Sequence, residues 1–70
     1  MRLVQVLIPT GTRQTVLKTL DSQGIDYAVF EEVQREEFEA MVQFPIPPSG
    51  VEPVMDNLVE AGVREGAYTI

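Results

Sequence analysis

At 70 residues the chain has room for one domain built around one small core. Its apolar fraction of 44% suits a packed domain, and the absence of both cysteine and histidine excludes disulfides, thiolate metal sites and imidazole chemistry. Eleven acidic residues against five basic ones give a net charge of −6 at pH 7, a field that repels phosphate backbones and argues against nucleic acid as a partner. The basic residues Arg2, Arg13, Lys18, Arg35 and Arg64 are scattered. Abundant glutamate with arginine favoured over lysine suits a high-salt, halophilic setting, where screening relieves self-repulsion, and an acidic domain of ordinary origin is the alternative.

The first strand is expected over Arg2 to Ile8, apolar on both faces except at Gln5. Val4, Val6 and Ile8 form one face, with Leu3 and Leu7 on the other. The run is too short for a signal-peptide core or for the roughly 20 residues of a membrane span. Pro9-Thr10-Gly11-Thr12 reads as a turn that delivers Thr12 as a helix N-cap. Helix 1 then extends to about Gln23, burying Val16, Leu17 and Leu20, and Gly24 stops it in a left-handed position.

A second strand is predicted from Ile25 to Val33, with Ile25, Tyr27 and Val29 favoured for the core over Ala28 and Phe30. A third runs from Glu36 to Phe44, with Phe38, Ala40, Val42 and Phe44 inward and Glu37, Glu39, Met41 and Gln43 outward. Pro45-Ile46-Pro47-Pro48 reads as an extended connector. Ser49-Gly50-Val51-Glu52 has capping-box spacing, with Pro53 in the first turn of a helix that buries Val54, Met55 and Leu58 and reaches about Ala61. Gly62 repeats the stop of Gly24. The last strand begins near Gly66 or Ala67, and Ile70 reads as a boundary cut through or just after that strand.

Strand-helix-strand said twice predicts an α+β, ferredoxin-like βαββαβ sandwich: a four-stranded antiparallel sheet of order 4-1-3-2 with two helices on one face. The other face stays open. It would carry Leu3, Gln5 and Leu7 beside Glu37, Glu39, Met41 and Gln43, and the strip Leu3, Gln5, Leu7 and Met41 is the candidate interface.

The turn Thr10, Gly11, Thr12 and Arg13 is the candidate ligand site, because a glycine turn entering a helix offers free N–H groups beside hydroxyls and a guanidinium. Glu31, Glu32, Glu36, Glu37 and Glu39 alternate without a glycine-bent cage, so they read as a solvated hairpin tip and not a metal site. No cofactor, metal or catalytic residue is expected. An RNA-recognition version of the sandwich would need aromatic and basic residues on the open face. An acylphosphatase-like enzyme would need an asparagine on the sheet, and the single asparagine, Asn57, falls on helix 2.

Several segments resemble the N-terminal domain of the domain of unknown function 389 family, particularly its haloarchaeal members. They are Arg2-Leu3-Val4-Gln5-Val6-Leu7-Ile8-Pro9-Thr10-Gly11, Gly24-Ile25-Asp26-Tyr27, Phe44-Pro45-Ile46-Pro47, Val51-Glu52-Pro53-Val54 and Ala67-Tyr68-Thr69. The resemblance covers essentially the whole chain, and its motifs are structural. The Glu31-Glu32-Val33-Gln34 stretch departs from the glycine- or serine-containing hairpins of that family. In the family a small soluble domain typically precedes several predicted membrane helices. The resemblance therefore implies a single domain, residues 1–70, excised from a larger protein of the cell membrane, soluble by itself and cytoplasmic. It further implies the C-terminal membrane region of the parent as a partner, while the apolar strip of the open face points to a homo-oligomer through that face. The expected role is a non-catalytic regulatory or assembly domain, with an ACT-like sensor of small molecules as the alternative.

Overall fold

The computed structural model describes residues 1–69, so the boundary expected at Ile70 lies outside the described residues. Six elements follow in order: β1 (Arg2–Pro9), α1 (Arg13–Ser22), β2 (Ala28–Phe30), β3 (Phe38–Ile46), α2 (Pro48–Glu60) and β4 (Tyr68–Thr69). The fold is α+β, with one four-stranded antiparallel sheet and two helices. Strand order is β2-β3-β1-β4, the neighbour relations of a 4-1-3-2 sheet counted from the opposite edge. Because every neighbouring pair is antiparallel, β1 and β2 run the same way with β3 between them, and β3 and β4 run the same way with β1 between them.

β1 and β3 make the central ladder, from Arg2 opposite Ile46 to Ile8 opposite Ala40. Side chains alternate across it. Val4, Val6, Ile8, Ala40, Val42 and Phe44 are each completely buried, and they form one cluster with Val16 and Leu20 of α1 and Val54, Met55 and Leu58 of α2. Both helices therefore cover the same sheet face. Ile25, Tyr27 and Val29 pack against this cluster while Ala28 and Phe30 are exposed, as the favoured parity of the second strand requires.

The two helix exits are chemically identical. After α1, Gly24 N–H donates to Asp21 C=O and Ile25 N–H to Leu20 C=O; after α2, Gly62 N–H donates to Val59 C=O and Val63 N–H to Leu58 C=O. These are the paired bonds of the Schellman motif, and they satisfy carbonyls that the helix ends would otherwise leave open. Both glycines have positive φ, 69° at Gly24 and 114° at Gly62. Gly62 carries a second constraint. A β-carbon there would lie 3.2 Å from the Thr12 Cγ2 methyl, so the exit of α2 packs against the start of α1.

Several boundaries differ from expectation. β2 is only three residues long, and β3 begins at Phe38, leaving Glu36 and Glu37 in the connection before it. β3 also continues through Pro45 and Ile46, which the sequence reads as a connector. β2 begins opposite Gln43, so beyond that point one side of β3 has no strand beside it, and a proline there removes no ladder bond on that side. The Ser49 capping box does not form. Pro47 is extended at φ −60° and ψ 147°, Pro48 takes the first helical position, and α2 has no side-chain cap, so Pro53 falls inside the helix. Proline restrains the residue before it to extended backbone and is itself pre-set for a first helical turn, so the Pro47-Pro48 pair starts the helix ahead of Ser49. Finally, β4 begins at Tyr68, although Ala67 C=O already accepts Leu7 N–H. Among the described residues no helix is long and apolar enough to cross a membrane.

Two outcomes follow from this packing. Gly24→Ala should cost about 1–2 kcal/mol for left-handed backbone, and Gly62→Ala should cost more because of Thr12. In a double-mutant cycle Thr12→Ser, which deletes the methyl and keeps the hydroxyl, should recover part of the Gly62→Ala loss and none of the Gly24→Ala loss. Equal urea midpoints for the two alanine variants would contradict the contact. In addition, the Tyr27 hydroxyl donates to Asp21 Oδ1 at 2.9 Å, and this bond, reinforced by the Asp21 charge, raises the phenol above its ordinary value of 10.0. A raised phenol stabilises the fold below pH 10 and loses that contribution as pH rises through the folded value. Ultraviolet titration should show a late-ionising tyrosine in the native chain that Asp21→Ala moves down.

Candidate functional site

The turn between β1 and α1 places Thr10 through Arg13 at one end of the sheet, and each of its four residues donates to a group of the chain itself. Thr10 N–H donates to Glu37 C=O at 3.0 Å and its hydroxyl to Glu36 C=O at 2.9 Å. Gly11 N–H donates to Glu39 Oε2, and Arg13 Nη1 donates to Glu31 Oε1. Thr12 occupies the N-cap position of α1, but its hydroxyl donates backwards to Pro9 C=O at 2.8 Å and caps no helical N–H. The hydrogen bond that Arg13 donates to Glu31 and the Glu31 charge, with the charge of Glu39 adding, hold the guanidinium above its usual range.

The turn is thus an anion cradle already filled by two carboxylates. Glu39 reaches it because of a register shift: Ile8 opposes Ala40 and Pro9 opposes Phe38, which leaves Glu39 as the extra residue of a bulge. Bulges re-aim side chains at strand ends, and this one turns a carboxylate toward Gly11. A shallow depression lined by Gly11, Arg13, Gln14, Thr15 and Glu39 remains beside the turn. Together the contacts clamp the connection of residues 31–37 onto the β1–α1 turn. Within the connection Arg35 pairs with Glu37 at 2.7 Å and lies 5.0 Å above the Phe38 ring. Among the described residues no cluster of three or more Asp or Glu side chains is placed to hold a metal ion.

The open sheet face is arranged in rows across the strands. Leu7 of β1 lies opposite Met41 of β3, which lies opposite Phe30 of β2. The next row holds Gln5 between Gln43 and Thr69, with Ala28 beyond Gln43. Gln5 Nε2 donates to Gln43 Oε1 at 2.9 Å. The last row pairs Leu3 with Pro45. Leu3, Gln5, Leu7 and Met41 are therefore brought together as expected, whereas Glu37 lies outside the strand. Leu3 is 51% exposed and Phe30 is 47% exposed, large values for apolar side chains on a sheet. Glu39, at the bulge, is the single charged side chain in these strand positions.

Sequence reasoning missed Phe30 and Pro45 as members of this face. The signal for Phe30 was its parity: if Ile25, Tyr27 and Val29 face the core, Phe30 must face outward. It also missed Glu31 and Glu39 as partners of the turn, and pairings 18 and 28 residues apart leave no local trace.

No family model and no curated protein matches this chain.

The occupied cradle makes a specific expectation. Inorganic phosphate at low millimolar concentration should leave the amide resonances of Gly11 to Arg13 unmoved in the native chain. Glu31→Gln combined with Glu39→Gln should make them responsive. Movement of the same size in both proteins would show that the carboxylates do not block the turn.

Proposed function

We propose that this chain is a ferredoxin-like sandwich serving as a non-catalytic regulatory or assembly domain of a membrane protein, and that the open sheet face is the surface through which it assembles. The observation that supports this reading is the face itself: two apolar rows flank a glutamine row, with Leu3 and Phe30 about half exposed and no charge before Glu39, on a chain of net charge −6. Apolar strips left bare on otherwise charged surfaces usually meet another protein surface. The membrane parent and a cytoplasmic position beside it rest on the resemblance to the domain of unknown function 389 family. The sensor reading has less support, because each residue of the Thr10 to Arg13 turn already donates to Glu31, Glu36, Glu37, Glu39 or Pro9.

Hydroxyl-radical footprinting tests the assembly surface. Labelling of Leu3, Phe30 and Met41 should fall several-fold in the full-length parent in detergent relative to the 70-residue chain at low concentration. Unchanged labelling of all three would overturn the reading.

A further inference from the structure

We propose that the connection of residues 31–37 is a strap latched by charge onto the β1–α1 turn, closed at high ionic strength and lifting as a unit, with the sheet still folded, when ionic strength falls.

This connection differs from the others in having no apolar anchor. After α1, Ile25 and Tyr27 pack against the core; after α2, Val63 and Ala67 are buried. Between β2 and β3, by contrast, Glu31, Glu32, Gln34, Arg35, Glu36 and Glu37 are exposed, and Val33 is half-buried outside the core cluster. At the entry to β3 the strap pivots, with Phe38 N–H donating to Arg35 C=O. Among the described residues its other bonds to the fold reach one place. Thr10 donates to Glu37 C=O through its N–H and to Glu36 C=O through its hydroxyl, and Arg13 pairs with Glu31. Segments held by exposed hydrogen bonds and few buried apolar contacts open locally, below the free energy of global unfolding.

Charge sets the direction of the response. Four glutamates and one arginine give the strap a net charge of −3, half of the chain's −6, so closure brings two negative bodies together. Arg13 mediates between them. It pairs with Glu31 of the strap and lines the same depression as Glu39 of the sheet. Among the described residues it is the one cation outside the strap that pairs with it, and Glu31 in that pair is 68% exposed, so the attraction is weak. Like charges also keep farther apart than a pair in contact, so salt screens the repulsion before it screens the attraction. Raising the ionic strength therefore closes the strap. Lowering it frees the Thr10 donors and the Arg13 guanidinium, while Gly11 stays bonded to Glu39 of the sheet.

Native-state hydrogen exchange on the 70-residue chain tests this at the Thr10 amide, whose acceptor belongs to the strap. Normalised to an unstructured peptide in the same buffer, Thr10 exchange should slow about tenfold between roughly 10 mM and 1 M sodium chloride, as the Debye length shrinks from about 30 Å to about 3 Å. Low urea should leave it unchanged while speeding the amides of the β1–β3 ladder, which open only with the whole fold. Arg13→Gln should speed Thr10 exchange several-fold at low salt, and adding Glu31→Gln should take back much of that, since it removes the charge then left facing Glu39. Loss of a hydrogen bond alone would give no such recovery. Glu32→Gln removes strap charge without touching a latch contact, and should slow Thr10 exchange at low salt and leave it unaltered at 1 M. Thr10 exchange that quickens with salt, or that follows the ladder amides in urea, would overturn the proposal. So would a Glu32→Gln chain that exchanges Thr10 at the native rate in low salt.

Discussion

The antiparallel pairing of β1 with β3 is the constraint on which the rest of the molecule depends. It runs from Arg2 opposite Ile46 to Ile8 opposite Ala40 and fixes the side of the sheet to which every residue of both strands points. A slip of β3 by one residue against β1 would expose Ala40, Val42 and Phe44 and turn Met41 and Gln43 toward the core. The register is held by the cost of that exchange. Two helices suffice to cover only one face, so the same pairing that builds the core also leaves Leu3, Leu7, Met41 and Phe30 uncovered.

The ends of the ladder are finished in different ways. At one end the bulge at Glu39 breaks the register and swings a carboxylate onto the β1–α1 turn, binding the connection of residues 31–37 to the start of α1. That turn resembles an anion site in its amino acids and is self-satisfied in its bonds. At the other end the ladder runs past the first residue of β2, and Pro45 is accommodated where β3 has a free side. The Schellman exits at Gly24 and Gly62 return each helix to the sheet, and the contact of Gly62 with Thr12 ties the second exit to the first helix. Function is therefore better sought on the uncovered face than at the turn.

Much of this was legible in the residues, for identifiable reasons. Alternation in β3 reported the covered and bare faces, and the two glycines reported the helix exits, because both signals are local and arise from backbone geometry. The capping box at Ser49 misled because a side-chain motif competes with the stronger backbone restraint of Pro47-Pro48 beside it. Pro45 misled because the tolerance of a strand for proline depends on where its neighbour ends, which lies in another segment. The carboxylates that fill the turn could not be read at all. Glu31 and Glu39 look like any solvated glutamates until the fold brings them against Arg13 and Gly11.

The division of the sheet into a covered face that carries stability and a bare face that does not is most directly tested by urea unfolding of two β1 variants at dilute, monomeric concentration. Ile8→Ala removes a completely buried side chain and should cost about 2–5 kcal/mol. Leu3→Ala trims a side chain that is 51% exposed and should change stability by no more than about 0.5 kcal/mol. Comparable losses from the two substitutions would mean that the open face is part of the folded core of the single chain, and would contradict the assembly role proposed for it.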